Sequence, residues 1–311
     1  MKKKIIILGS TGSIGKTTIK IVLKNKFFFD VILLTANKNY IKLLSQAKIL
    51  KCRNIILFDE KNFLKAKIVN KDKNVKIFNS VKEFLKKQKN KADYTMCAIS
   101  GMSGLEPLID IIKITKNLAI ANKESIICGW NLIEKKIVKH NVKFIPIDSE
   151  HFSIQSLIKN NKNAEIDTIY ITASGGPFLK VPILKFKNIS VEKAITHPNW
   201  KMGKKISVDS STLMNKVFEV IEAQRIFKLP ISQFKILIHP KSYLHSIVKF
   251  HDGTSKFLIH DTSMMIPIFN SLFADDSTKR FKCKRIDLEI INNLNLSNVN
   301  LLRFPAVKFL K

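Results

Sequence analysis

Arginine is scarce in this chain of 311 residues. Lysine and arginine together number 54, yet arginine occurs only as Arg53, Arg225, Arg280, Arg285 and Arg303. The formal net charge of +30 is therefore almost wholly lysine, spread along the chain rather than gathered into one stripe. Reading base edges favours the bidentate guanidinium fork, so this composition excludes a specific nucleic-acid partner. Lysine, isoleucine, asparagine and phenylalanine are all abundant, as expected of an AT-rich coding sequence, and the charge reads as bias on solvated faces. Weak, salt-sensitive attraction to polyanions follows regardless. Cysteine is also sparse. Cys52, Cys97, Cys128 and Cys283 are far apart with no Cys-x-x-Cys pair, which excludes a disulfide framework or zinc cluster and predicts buried, reduced thiols. Long apolar runs are absent too. The opening MKKKIIILGS has only Ile5–Leu8 before Gly9, too little for a secretory signal, and no stretch is long enough to span a bilayer. With 45% apolar residues, the composition predicts a soluble, cytoplasmic, two-domain protein with no membrane partner.

Along the chain, strand-like runs at Lys4–Leu8, Val31–Ala36, Ile55–Phe58, Lys76–Phe78, Tyr94–Ile99, Leu118–Ala121 and Lys143–Ile147 alternate with helical patterns such as Thr17–Leu23 and Leu105–Ile114. That alternation predicts a mostly parallel sheet covered on both faces over 1–147. A second unit begins at Ile166–Ala173. It has helical spacing over Asp209–Phe227 and strands at Ile236–Ile238, Ile247–Phe250 and Lys256–Ile259, with Asp252-Gly253 as a hairpin turn in a mostly antiparallel sheet. From Asp275 onward the pattern weakens and turns asparagine-rich, like a linker, ending in a stretch at 304–308 that reads as the start of a helix. No internal repeat is visible.

Gly9-Ser10-Thr11-Gly12-Ser13-Ile14-Gly15 follows a strand and precedes a helix, the setting of a dinucleotide-binding turn. Glycine admits the backbone to the pyrophosphate, and the helix start offers free N–H groups and a positive dipole end. Thr11 and Ser13 add hydroxyl donors. A P-loop competes, since Gly15-Lys16-Thr17 resembles the end of that motif, but it requires glycine where Ser10 stands. At the second strand end an NAD enzyme places an acid for the ribose 2′-OH. Here Asn37-Lys38-Asn39 stands instead, an ammonium between two amides, which favours the 2′-phosphate of NADPH. The alternative is that Lys38 is one more solvated lysine.

Asp148 and Glu150 share one side if the strand from Lys143 continues through them. Paired carboxylates call for a neutralising cation, and oxygen ligands suit Mg²⁺ or Mn²⁺. Glu219 on a later helix is the candidate third ligand. The alternative is a solvated strand end with unrelated acids. Ser174-Gly175-Gly176 after a strand offers a hydroxyl and free N–H groups to a phosphate or polyol. His197, Asn199 and Trp200 lie in a stretch, 177–203, that reads as a mobile flap able to cover a ligand; core packing of Trp200 and a surface role for His197 are the competing readings. Ser210, Asn215 and Lys216 fall near a helix start, where phosphate is welcome. His239, His245, His251 and His260 show no ligand spacing and are expected to be structural.

These residues carry a resemblance. GSTGSIG at 9–15, ANKES at 121–125, DSEH at 148–151, SGGPF at 174–178, HPNWKMGKKISVDS at 197–210, MNK at 214–216 and HPKSYLHS at 239–246 closely resemble the 1-deoxy-D-xylulose 5-phosphate reductoisomerase family, in the same order. The resemblance implies NADPH contacts at Thr11, Gly12, Ser13, Ile14, Lys38, Asn39, Asn122, Glu124 and Gly203, with Asn37 standing beside the cofactor where the family commonly has glycine. It implies metal ligation by Asp148, Glu150 and Glu219, and substrate contacts from Lys123, Ser149, Ser174, His197, Ser210, Asn215 and Lys216, with Lys123 assisting proton movement. The implied fold is an N-terminal Rossmann-like, mostly parallel sheet over 1–147 and an α+β catalytic domain over 148–274. Residues 275–311 would be a linker into a C-terminal helical domain that is largely absent. The implied reaction is isomerisation and NADPH reduction of a ketose phosphate to 2-C-methyl-D-erythritol 4-phosphate by a bacterial homodimer. Two readings compete: another two-domain NADPH-dependent dehydrogenase, and a truncated, inactive remnant binding polyanions nonspecifically.

Overall fold

The computed structural model describes residues 1–310 except 89, 201–202, 277 and 283–285. Cys283 and Arg285 therefore lie outside the described residues. Two compact units emerge: residues 1–147 with 267–279, and residues 148–266 with 280–311.

In the first unit, strands β1 (Lys3–Leu8), β2 (Phe29–Ala36), β3 (Asn54–Leu57), β4 (Lys76–Phe78), β5 (Ala92–Cys97), β6 (Thr115–Ile120) and β7 (Lys143–Pro146) form one sheet in the order β4-β3-β2-β1-β5-β6-β7. Every pairing in it is parallel. The connections carry α1 (Ser13–Lys24), α2 (Tyr40–Leu50), α3 (Glu60–Val69), α4 (Val81–Lys87), α5 (Leu105–Ile111) and α6 (Lys123–His140). Ile5, Ile6, Ile7 and Leu8 are all fully buried. A strand covered on both faces must be apolar throughout, which is why the run reads as continuous rather than alternating. Strand order reverses at β1, the position where open α/β sheets leave a crevice at their carboxyl ends.

The second unit holds α7 (Ser149–Ile158), β8 (Ile166–Ala173), α8 (Val191–Ala194), α9 (Lys204–Ser211), α10 (Met214–Phe227), β9 (Phe234–Ile238), β10 (Leu244–Phe250) and β11 (Ser255–Ile259). After α11 (Met265–Leu272), which lies in the first unit from Pro267, come α12 (Leu288–Asn292) and β12 (Ser297–Asn298). The second sheet runs β11-β10-β8-β9-β12. All its pairings are antiparallel except β8 with β9, and β10 and β11 form the hairpin expected at Asp252-Gly253.

Three local expectations change. The strand from Lys143 stops at Pro146, and Asp148 caps α7 instead, its Oδ1 accepting the Glu150 N–H at 3.2 Å. Aspartate at an N-cap with glutamate in the first turn satisfies amides that a continued strand would leave open, and that preference wins over alternation. The helix expected over 209–227 is two helices, broken where Leu213 enters the left-handed region (φ 60°) and is buried in the core. Cys128 is exposed, unlike the buried Cys52 and Cys97. The two compact units also divide the chain elsewhere than the sequence does. Residues 267–279 pack with the first sheet, where Ser271 Oγ meets the Tyr94 hydroxyl at 2.7 Å and Phe273 stacks on Phe29. Residues 297–310, read as a linker, contribute a strand and the buried Phe304 to the second unit.

The turn after β1 depends on close packing. A Cβ on Gly15 would fall on the Gly9 carbonyl oxygen and within 2.6 Å of Ser10 Cα, whereas one on Gly12 meets nothing nearer than 3.4 Å. Gly15→Ala should thus destabilise the chain by about 1–3 kcal/mol through overpacking, and Gly12→Ala by far less. Chemical denaturation of the two variants checks this; equal midpoints would refute the packing account.

Candidate active site

In the first unit, a cleft of about 440 Å³ opens at the carboxyl ends of β1, β2 and β5, lined by Gly9, Thr11, Gly12, Asn37, Ala98 and Ser103 among others. The helices α2, α3, α4 and α6 each begin with Asn39, Asp59, Ser80 or Asn122, whose side chain accepts a first-turn N–H. α1 differs. Its N-cap is Gly12, which has no side chain to accept those bonds, and its first turn holds Ser13, Ile14 and no acid. The free amides and positive dipole end suit a phosphate. Ser10, which spoils a P-loop, is fully buried: its hydroxyl binds Gln46 Oε1 at 2.7 Å while Gln46 Nε2 binds the Ser10 carbonyl at 3.1 Å. It locks the turn to α2.

The remaining expected cofactor residues fall as follows. Asn37 and Lys38 are exposed after β2, and Asn39 caps α2 at 3.0 Å. Asn122 is buried; its amide donates to the Ile99 and Gly101 carbonyls at 2.6 Å each and its Oδ1 caps α6, so its side chain holds the turn in place. Lys123 and Glu124 occupy the first turn of α6. Gly203, in the second unit, is the exposed N-cap of α9.

Within the second unit, Asp148, Glu150 and Glu219 converge, each offering a carboxylate oxygen within 4.8 Å of the others. α7 supplies the first two and α10 the third. Lys216, one turn before Glu219, places its Nζ 2.6 Å from both Glu150 Oε1 and Glu219 Oε2. Burial alone would depress this ammonium, but the two glutamates hold it above the ordinary lysine range. Ser149 Oγ donates to Glu150 Oε2 at 2.5 Å and Asn215 Nδ2 to Glu219 Oε1 at 2.6 Å. Three carboxylates against one ammonium leave a formal charge of −2 to be met. Oxygen ligands of Mg²⁺ sit at 2.0–2.1 Å, so neighbouring ones are roughly 3 Å apart. The all-oxygen donor set fits a hard divalent cation held by Asp148, Glu150 and Glu219, whose oxygens, within 4.8 Å of one another, would close in around it. Sequence reading missed His151. It is buried, its Nε2 donates to the Glu219 carbonyl at 2.8 Å, and its Nδ1 faces Asp148 Oδ1 at 3.8 Å. Its position three residues after Asp148, on the same helical face, was the available signal.

Beside this cluster lies a group of polar residues. Gly176 has φ +66°, and a Cβ there would lie 2.7 Å from the Ser210 carbonyl oxygen. Glycine thus lets the Ser174 turn approach the end of α9, which brings Ser174 and Ser210 together. His197 is half-buried. Its Nδ1 accepts the N–H groups of Asn199 (3.1 Å) and Trp200 (3.0 Å), so in the neutral ring the proton sits on Nε2, which donates to Ser174 Oγ at 3.0 Å. Ser174 Oγ also accepts the Gly176 N–H at 3.0 Å. Burial, and secondarily the Lys216 charge, push His197 down to about 4. Trp200 meets the His245 ring at 6.1 Å, and His245 stacks on His260 at 3.7 Å. Asn215 Oδ1 is buried with no hydrogen-bond partner among the described residues. Leaving such an acceptor unmet costs about 1–3 kcal/mol, and a ligand hydroxyl would satisfy it.

Known proteins match this chain along its length. Residues 5–129 match the family model described as 1-deoxy-D-xylulose 5-phosphate reductoisomerase, and 144–227 match that of its C-terminal domain. A protein of that name from Pelagibacter ubique is 55% identical over 310 residues, covering 99% of this chain and 80% of the relative. Another, from Wolbachia pipientis subsp. Culex pipiens, is 42% identical over 90% of this chain and 72% of the relative. Among solved structures, the enzyme from Zymomonas mobilis in complex with NADPH superposes with a TM-score of 0.88 at 31% identity, covering 100% of this chain and 80% of that one. One in complex with NADPH, fosmidomycin and magnesium gives 0.89 at 31%, covering 99% and 78%.

Two outcomes follow from the geometry. Removing one partner of a buried ion network costs about 3–5 kcal/mol, so Lys216→Gln should lower stability by that order in chelator, with Mg²⁺ restoring part of the loss; unchanged melting in chelator would contradict the assigned network. The His197 ring should titrate near pH 4 by NMR. Its unfolded counterpart takes up a proton near pH 6.5, so its contribution to stability is complete above that pH and is lost as pH falls toward 4. A midpoint at or above 6.5 would overturn the buried, neutral assignment.

Proposed function

The chain belongs to the 1-deoxy-D-xylulose 5-phosphate reductoisomerase family, and from that premise we propose that it is an NADP-dependent oxidoreductase of isoprenoid precursor synthesis. It converts 1-deoxy-D-xylulose 5-phosphate, with NADPH and a divalent cation, to 2-C-methyl-D-erythritol 4-phosphate. The observation that carries this reading is the convergence of Asp148, Glu150 and Glu219.

The cation, when bound by these three carboxylates, supplies Lewis acidity to the substrate's carbonyl and hydroxyl oxygens. The amides of α1 with Thr11, Gly12, Ser13 and Ile14 would hold the pyrophosphate of NADPH, and Lys38 and Asn39 its 2′-phosphate; the cofactor would supply the hydride. Asn37, Asn122, Glu124 and Gly203 complete the assignment of its binding residues. Ser174, Ser210, Asn215 and Lys216 grip the phosphate and polyol, and that remote binding energy favours the reacting geometry. Ser149 holds Glu150 in place while presenting its hydroxyl edge to the sugar. His197 fixes the Ser174 oxygen through its Nε2 proton, and the loop carrying Trp200 excludes water. Lys123 is the residue assigned to stabilise negative charge on substrate oxygen and to move its proton. We further infer a homodimer, as the family resemblance implies, in the bacterial cytoplasm, where free Cys52, Cys97 and Cys128 remain reduced. Among the described residues no helix is long and apolar enough to cross a membrane.

Consumption of NADPH that requires both the ketose phosphate and Mg²⁺ tests the activity. Asp148→Asn and Glu219→Gln should each lower kcat/KM by about 100-fold or more and leave NADPH affinity largely intact. Full turnover in either variant would remove that residue from the metal site. Turnover indifferent to chelator would remove the metal itself.

A further inference from the structure

The segment 295–310 carried no function in the sequence reading, yet within the second unit it reaches the root of the loop that bears His197 and Trp200. Asn300 organises it: its side chain accepts the N–H groups of Leu302 (2.9 Å) and Arg303 (3.2 Å), and its carbonyl accepts that of Phe304. Phe304, 1% exposed, is buried in the core with Val220 and Ile238, and Val307 and Leu310 pack against the same cluster. Phe304 is seated in this core, and the adjacent Arg303 side chain reaches out to the loop. Its Nη1 donates to the Phe178 carbonyl at 2.7 Å and to the Val181 carbonyl at 2.6 Å. These are the first and last residues of a turn closed by the Val181 N–H to Phe178 carbonyl bond at 3.1 Å. The guanidinium also lies 5.4 Å from the Phe186 ring, which itself packs on Phe178.

That turn adjoins the residues assigned to the substrate. Leu179, inside it, packs against Gly175 so closely that a Cβ there would meet its side chain at 2.7 Å. Gly175 and Gly176 carry Ser174, and Ser174 holds His197. At its far end the loop is held separately, by Asn199 Nδ2 donating to the Pro240 carbonyl (2.5 Å) and Ser242 Oγ (2.9 Å). The near end has Arg303. Charge-assisted donation to two carbonyls, with an aromatic face beside it, suits arginine better than lysine, in a chain that otherwise uses lysine almost everywhere.

We propose that Arg303 is a positioning residue for substrate binding: it fixes the Phe178–Val181 turn and through it the placement of Ser174 and His197. It touches neither substrate nor cofactor. The inference rests on the proposed function only for its kinetic consequence. Misplacement of a binding group by an ångström is enough to cost up to about 100-fold, so Arg303→Ala should raise KM for the ketose phosphate about tenfold or more. kcat should change less, and the NADPH and Mg²⁺ dependences should not move. Arg303→Lys should recover part of the loss. Leu302→Ala, at an 81% exposed neighbour, should be neutral. Phe304→Leu should lower the melting temperature and spare KM, which separates a general structural effect from positioning.

Hydrogen exchange on the full chain gives a readout independent of activity. In Arg303→Ala, backbone amides over 178–200 should exchange faster, while those of β8 and β10 keep their wild-type rates. Unchanged exchange in the loop, an unchanged KM, or a KM rise of the same size in Phe304→Leu overturns the proposal. Should the wild-type chain itself fail to turn over the ketose phosphate, the functional reading falls and the exchange comparison alone decides the role of Arg303.

Discussion

A single ammonium organises the catalytic half of this protein. Lys216 joins Glu150 on α7 to Glu219 on α10, two helices separated by more than fifty residues of chain, at 2.6 Å on each side. Three carboxylates brought together without it would repel one another, and burying them would be prohibitive. With it, the cluster retains a negative surplus that only a cation can finish. The same residue also helps to keep His197 neutral. Charge balance, rather than packing alone, therefore sets where α7, α10 and the loop before α9 come to rest.

The two units solve different problems with similar means. In the first, binding chemistry is backbone chemistry: a glycine turn packed under a helix start, held by Ser10 and Gln46, leaves amides for an anion. In the second, it is side-chain chemistry, with the second oxygens of Glu150 and Glu219 tied by Ser149 and Asn215. A hyperthermophilic archaeal homoserine dehydrogenase in complex with NADPH shares the general fold, with a TM-score of 0.58 at 11% identity. That likeness shows the fold alone, and a fold does not fix a chemistry.

Much of this was legible in the residues. The alternation of apolar runs and helical patterns over 1–147 revealed the parallel sheet, because a strand buried on both faces announces itself by continuous isoleucine and leucine. The glycine turn was readable for the same reason: its neighbours leave no room for side chains. Asp148 and Glu150 were correctly grouped but for a mistaken reason. Strand alternation was invoked, whereas a helix cap brings them together, and capping is a one-residue signal that a preceding apolar run easily masks. The break at Leu213 could not be seen, since it arises from burial of that leucine in a core assembled from distant segments. His151 left only a faint signal, its place three residues after Asp148. Its partner is a backbone carbonyl on another helix, which leaves no trace in composition or spacing. The role of 297–310 was obscured because a two-residue strand and a plug of one phenylalanine carry no periodicity.

The bare start of α1 has a wider implication. Like α5, this helix starts at a glycine with no side-chain cap, whereas α2, α3, α4 and α6 complete their own first turns; a dinucleotide seated there would complete it. The nucleotide would then be a structural part of the domain as well as a reagent, and the folded population would rise with its concentration by mass action. A cell that runs short of reduced nicotinamide would thereby loosen the very sheet that awaits it.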